Sequence, residues 1–133
     1  MRAIENFGGL RKVNPVFGGL MGIILFSSLG LPGLSGFPAE FLIFKGAFSF
    51  SPVACAFAVL GLLFTAVYLL TFYGRVFLGP LNASHTGSPD LTAAEKTLIL
   101  PAVGITIVLG IAPQLVLAIC NPSVTALVQQ LKF

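Results

Sequence analysis

A carboxylate buried in a membrane can take up and release a proton, and Glu40 is the acidic residue of this chain that lies deep in an apolar run. It follows Pro32, Gly33, Gly36 and Pro38, so the helix is expected to break just before the acid. A charged side chain at the bilayer centre costs about 3 kcal/mol even on lenient insertion scales, and such residues commonly mark proton or ion paths. Desolvation favours the neutral carboxyl, whereas the positive end of a helix favours the carboxylate. If Pro38 opens the second half-helix, Glu40 falls in its first turn and feels both pressures, as suits a group that exchanges a proton. The other reading makes Glu40 a capping carboxylate at a helix restart. Residue types alone leave both open. The break favours function, because irregular backbone at membrane depth is tolerated only inside protein or beside a wet cavity. Half-helix ends near the midplane are a known way to build an ion site, and four Pro and Gly residues exceed what a simple kink requires.

Lys45 lies about 140° round the helix from Glu40, at ~100° per residue. It either snorkels to the interface or points inward as a second charge. Tyr68, Phe72 and Arg75 form one stripe, with Thr65 on the same side. The stripe reads either as an interfacial aromatic and arginine anchor or as a polar wall. Lys45, Thr65 and Tyr68 are thus candidate pathway-lining residues. His85, the only histidine, has no second histidine or cysteine nearby, so no metal site is expected. Cys55 and Cys120 sit in apolar segments without a C-x-x-C pattern and read as small packing residues. No nucleophile–base pair, phosphate loop, haem motif or dinucleotide fingerprint marks a self-contained enzyme, and no cofactor is expected on this chain.

The elements that carry these residues are membrane helices. Of 133 residues, 56% are hydrophobic and 8% charged, against about 25% charged in soluble domains. The net charge of +3 comes from scattered Lys and Arg, which suit helix flanks better than a nucleic-acid partner. The fold class is an all-α membrane protein with three spans and a surface tail helix. Residues 1–14 read as a polar loop or interfacial segment without the apolar core of a signal peptide. The transmembrane domain covers 15–120. Its first block, 15–50, exceeds the ~20 residues of a straight span and is read as one discontinuous helix jointed at PGLSG. The second block is 52–78, with Pro52 at the first helical position. GPLNASHTGSPD is a loop, and Thr92 with Glu95 forms a capping box. The third span is 97–120. In the tail, 121–133, Asn121 is expected to cap and Pro122 to start a helix. There Val124, Leu127, Val128 and Leu131 make one apolar stripe. The basic residues Arg2, Arg11 and Lys12, with Arg75 and Lys96, place the N-terminal segment and the 79–95 loop on the cytoplasmic, matrix or stromal side. Only Lys132 marks the tail, which is expected on the other face.

Four stretches carry a family resemblance. GLPGLSGFPAEFLIFKGAF resembles the broken helix of the antiporter-like proton-translocating subunits of respiratory complex I. ENFGGLRKVNP is similar to the loop before that helix, AVYLLTFYGRVFLGP to the helix after it, and EKTLILPAVGITIVLGIAPQLVL to the last core helix. The likeness runs in order along nearly the whole chain, as the C-terminal part of such a subunit. Glu rather than Lys at position 40 resembles the subunit M (chain 4) type. The resemblance implies a membrane-arm subunit of a redox-driven NADH:quinone oxidoreductase, in a bacterial plasma, mitochondrial inner or thylakoid membrane. Glu40 would be the terminal proton-relay residue of a hydrophilic axis. Flavin, iron–sulfur clusters and quinone would belong to partner subunits. The implied partners are the other membrane-arm subunits, the N-terminal part of this subunit and the lipid bilayer. The family's subunits have many more spans, and Lys45 stands where the family pattern is usually apolar. A multisubunit cation/proton antiporter or a membrane-bound hydrogenase carries the same kind of subunit, and a scaffold fragment without proton transfer is the rival of another class.

Overall fold

The computed structural model describes Ile4 and residues 7–131, with Leu131 in its backbone alone. Arg2 and Lys132, used above for orientation, lie outside the described residues. Among those described, all regular structure is helical. It comprises α1 (Pro15–Ser28), α2 (Gly36–Phe50), α3 (Pro52–Phe77), α4 (Ala93–Ile111) and α5 (Gln114–Leu131), with 3-10 turns at Leu10–Lys12 and Ala83–His85. Two of these helices, α3 and α4, are long and apolar enough to cross a membrane, and α1 is a shorter apolar helix.

Local chemistry explains each boundary. Pro15 and Pro52 occupy first-turn positions of α1 and α3, where a missing N–H is harmless. The Ser51 hydroxyl accepts from the Ala54 amide at 3.3 Å, which closes the tight corner between α2 and α3. The Cys55 thiol then donates to the Phe44 carbonyl at 3.6 Å, tying the two helices together beside that corner. The capping box at α4 is formed: the Thr92 amide donates to Glu95 Oε2 at 2.8 Å and the Glu95 amide to Thr92 Oγ1 at 3.4 Å.

Two expected boundaries are corrected. The third apolar helix does not run over 97–120. It begins at Ala93, behind its capping box, and stops at Ile111. Pro113 brings no N–H and pushes Ala112 out of the helical region, to φ −123 and ψ 62. The tail does not restart at Asn121 and Pro122 either. Helix α5 is already running from Gln114 and carries Pro122 in its interior. Adding a residue to an existing helix is far easier than nucleating a new one, so Asn121 is no cap.

The core is small. Leu25 of α1 packs with Tyr73, Val76 and Phe77 of α3, and Phe17, Met21 and Phe72 close around them. Gly18 and Gly22 let α3 approach. A Cβ on Gly22 would stand 3.1 Å from the Tyr73 hydroxyl, and that hydroxyl donates to the Gly18 carbonyl at 3.0 Å. Small residues spaced by four are a common device where membrane helices meet. Most large apolar side chains point outward, as at Phe50, 93% exposed, and Leu98, 77% exposed. Such a surface fits lipid or further apolar protein, not water.

The N-terminal segment and the 79–92 loop meet at one end of the molecule. The Gly9 amide donates to the Leu78 carbonyl at 3.0 Å and the Asn82 amide to the Gly8 carbonyl at 3.3 Å. Asp90 completes the junction by capping α1 from across the chain, accepting from the Val16 amide at 2.9 Å and the Phe17 amide at 3.1 Å. Asn14 donates to the Pro89 carbonyl at 3.0 Å. Desolvation pushes the Asp90 carboxyl up. The amides of Val16, Leu91 and Phe17 and the charge of Lys96 outweigh it, so the carboxyl titrates below its ordinary value. A depressed carboxyl contributes stability above its unfolded value and loses it as the pH falls through the folded one. Asp90→Ala is therefore expected to speed hydrogen exchange at Val16 and Phe17 near neutral pH. The difference from the parent should vanish once acid has protonated Asp90. Exchange followed by mass spectrometry at both pH values checks this.

Candidate functional site

The connection between α1 and α2 is built from three local devices. Helix α1 ends in a Schellman stop: Gly30 takes φ +65, its amide donates to the Ser27 carbonyl at 3.1 Å, and the Leu31 amide reaches back to Phe26 at 3.2 Å. A turn follows, with Pro32 and Gly33 (φ +93) at its centre and the Leu34 amide closing on the Leu31 carbonyl at 3.1 Å. Proline followed by a positive-φ glycine is the type II pattern. Helix α2 then starts at Gly36, with Pro38 inside its first turn, where the lost N–H has no intrahelical partner to miss. Pro32 and Gly33 thus lie in the connection, and Gly36 and Pro38 in the restart.

The two helix ends are pressed together. A Cβ on Gly36 would collide with the Ser27 carbonyl oxygen. The Ser27 and Ser35 hydroxyls share a hydrogen bond at 3.2 Å across the joint, and Ser27 is buried.

Glu40 lies one turn further on, half-buried, in the second turn of α2. Its placement in the first turn is corrected by the earlier start at Gly36. The side chain folds back over the end of α1, where a Cβ on Gly30 would overlap its carboxylate and stand 2.8 Å from its Cδ. It accepts no hydrogen bond from the α2 amides, so it does not cap the helix.

A family model described as NADH:quinone oxidoreductase/Mrp antiporter, TM, matches residues 1–65, the stretch that holds the joint and Glu40. The chain is 38% identical over 123 residues to NADH-quinone oxidoreductase subunit M of Mycobacterium tuberculosis, covering 92% of this chain and 22% of that protein. It is 37% identical over 129 residues to the Rhodobacter capsulatus subunit M, covering 96% and 25%. It is 33% identical over 133 residues to NADH-ubiquinone oxidoreductase chain 4 of Marchantia polymorpha, covering 99% and 27%. The chain is similar to these subunits along nearly its whole length. It spans about a quarter of the length of these relatives, as the 22% to 27% coverage shows.

The other sequence candidates stand apart from Glu40. Lys45 is exposed on α2. Thr65 turns its hydroxyl back onto the Gly61 carbonyl of its own helix, at 3.0 Å. Tyr68 is 59% exposed and lines a surface groove with Thr71, Phe72 and Arg75. No hydrogen bond or ion pair joins any of the three to Glu40 among the described residues. Sequence reasoning missed three contributors: Asp90, Tyr73 and Gly110. Asp90 anchors the start of α1, and Tyr73 seats α1 on α3. Gly110 of α4 touches the joint, where its Cβ would overlap the Gly33 carbonyl and Leu34 Cα. The glycine pair Gly18 and Gly22 was the available sign that a ring would pack there. As built, the site offers one carboxylate, two hydroxyls and bent backbone. That chemistry suits proton exchange and supplies no nucleophile–base pair. Among the described residues no cluster of three metal-ligating side chains occurs.

Proposed function

We propose that this chain is the C-terminal portion of a proton-translocating membrane-arm subunit of a redox-driven NADH:quinone oxidoreductase, with Glu40 as a relay residue. The observation that carries the reading is the Glu40 carboxylate, folded over Gly30 at the joint of two helices and taking no capping bond. Helix α1 has 14 residues and α2 has 15, each short of the ~20 a span requires. Together they make one discontinuous span, followed by α3 and by α4 with α5. The relatives named as subunit M and chain 4 support the assignment to the oxidoreductase. The N-terminal segment and the 79–92 loop share one end, in keeping with a common cytoplasmic, matrix or stromal side.

In this reading the chain does not catalyse redox chemistry itself. Flavin, iron–sulfur clusters and quinone sit in partner subunits, and protonation changes reach Glu40 through neighbouring membrane-arm spans. Lys45, Thr65 and Tyr68 would border the path only once those neighbours cover them. A second reading is a subunit of a cation/proton antiporter, which the family description also names. Co-purification with iron–sulfur and flavin subunits separates the two. The test of the relay is proton uptake into sealed vesicles carrying the assembled complex, parent against Glu40→Gln, with turnover followed alongside. Loss of uptake with assembly intact supports the relay. Unchanged uptake and turnover overturn it and leave a scaffold.

A further inference from the structure

The second helix interruption lies against the first. At Ala112 and Pro113 the chain leaves α4 and enters α5, and the Leu117 amide closes the new turn on the Pro113 carbonyl at 3.1 Å. Pro113, Leu109 and Val116 line an apolar cleft whose other wall is Ser35, Pro38 and Ala39, the first turn of α2 up to the neighbour of Glu40. Gly110, the residue after Leu109, presses directly on the turn of the joint, at the Gly33 carbonyl and Leu34 Cα. We propose that Gly110 is a positioning residue for Glu40, an inference that rests on the relay reading. The chain of contact is short. Gly110 fixes the 31–34 turn, the turn fixes Gly30, and Gly30 is the floor on which the carboxylate lies.

Gly110 has no positive φ, so its backbone accepts any residue and its need is for space alone. Alanine should improve the helix locally. Close packing alone predicts that Gly110→Ala disturbs the contact of α4 with the turn and leaves the Glu40 carboxyl where it was. Positioning predicts that the added methyl displaces the turn and moves Gly30 under the carboxylate. Gly104, on the same helix, has nothing within 4 Å of its Cβ position and serves as the control.

The experiment uses the assembled complex in sealed vesicles. The carbonyl stretch of the Glu40 carboxyl is read by infrared difference spectroscopy and assigned by its disappearance in Glu40→Gln. Gly110→Ala is expected to shift that band and to slow coupled proton uptake by about tenfold to a hundredfold, as a misplacement near 1 Å can. Gly104→Ala should match the parent in both. A parent band and parent uptake in Gly110→Ala overturn the proposal. If Gly110→Ala does not assemble, Pro113→Ala replaces it, since it restores a backbone donor and adds no bulk. A shifted band there supports positioning, and a parent band overturns it. Unchanged uptake in Glu40→Gln defeats the relay reading, whereas the band position in Gly110→Ala reports on positioning independently of uptake.

Discussion

Glu40→Gln is expected to slow coupled proton uptake by about a hundredfold or more, the loss seen when a positioned acid–base group is removed, while the subunit still assembles. Glutamine has the size and polarity of the acid, so it can lie over Gly30 and leave the Ser27–Ser35 bond and the turn at Pro32 and Gly33 in place. What it lacks is an exchangeable acid proton. Because Glu40 takes no capping bond from the α2 amides, loss of its charge leaves no helix amide orphaned. Glu40→Asp sharpens the result. It keeps the acid but is one methylene shorter, so the carboxyl withdraws from Gly30 and uptake should fall to a level between the parent and Glu40→Gln. Proton uptake and quinone-linked turnover measured on the same vesicles check all three proteins. If Asp were as inactive as Gln, reach to Gly30 would matter as much as the proton itself. If Gln matched the parent, Glu40 would have no part in transport.

The joint was legible because its chemistry is local. LPGL contains the proline and glycine of a type II turn, and TAAE contains both halves of a capping box. The turn before Glu40 could therefore be placed from residues a few positions apart. The contacts that hold the joint in space could not. Asp90 caps α1 from 74 positions away, and no periodicity announces such a bond. Which face of α3 would meet α1 was not legible for a different reason. In a soluble helix the polar side marks the outside, but α3 is apolar nearly all round, so that contrast is absent. Nothing in the sequence ranks the two tyrosines, of which Tyr73 is 9% exposed and Tyr68 59%. The Asn121–Pro122 pair misled because it is a fair helix start taken alone. The helix opened after Pro113 simply ran through it.

That contrast between the two tyrosines yields the second large effect. Tyr73→Ala is expected to destabilise the seating of α1 on α3 by about 3 kcal/mol, the low end for truncating a buried aromatic. The low end applies because helices meeting in lipid gain van der Waals packing rather than transfer from water. The ring stacks on Phe77 at 5.0 Å between centroids and faces the bare Cα of Gly22. Glycines cannot swing side chains into the space it leaves, so the hole stays open. Tyr73→Phe keeps the ring and loses the bond to the Gly18 carbonyl, a change of about 1 kcal/mol. Tyr68→Ala should fall well below both, because the ring it removes packs against little of this chain. Apparent unfolding midpoints of the assembled complex in detergent are expected to fall in the order parent, Tyr73→Phe, Tyr73→Ala. Since α1 supplies Ser27 to the joint and carries Gly30 two residues past its end, the same Tyr73→Ala protein should also lose part of its coupled uptake, through an α1 that no longer stands still beneath Glu40.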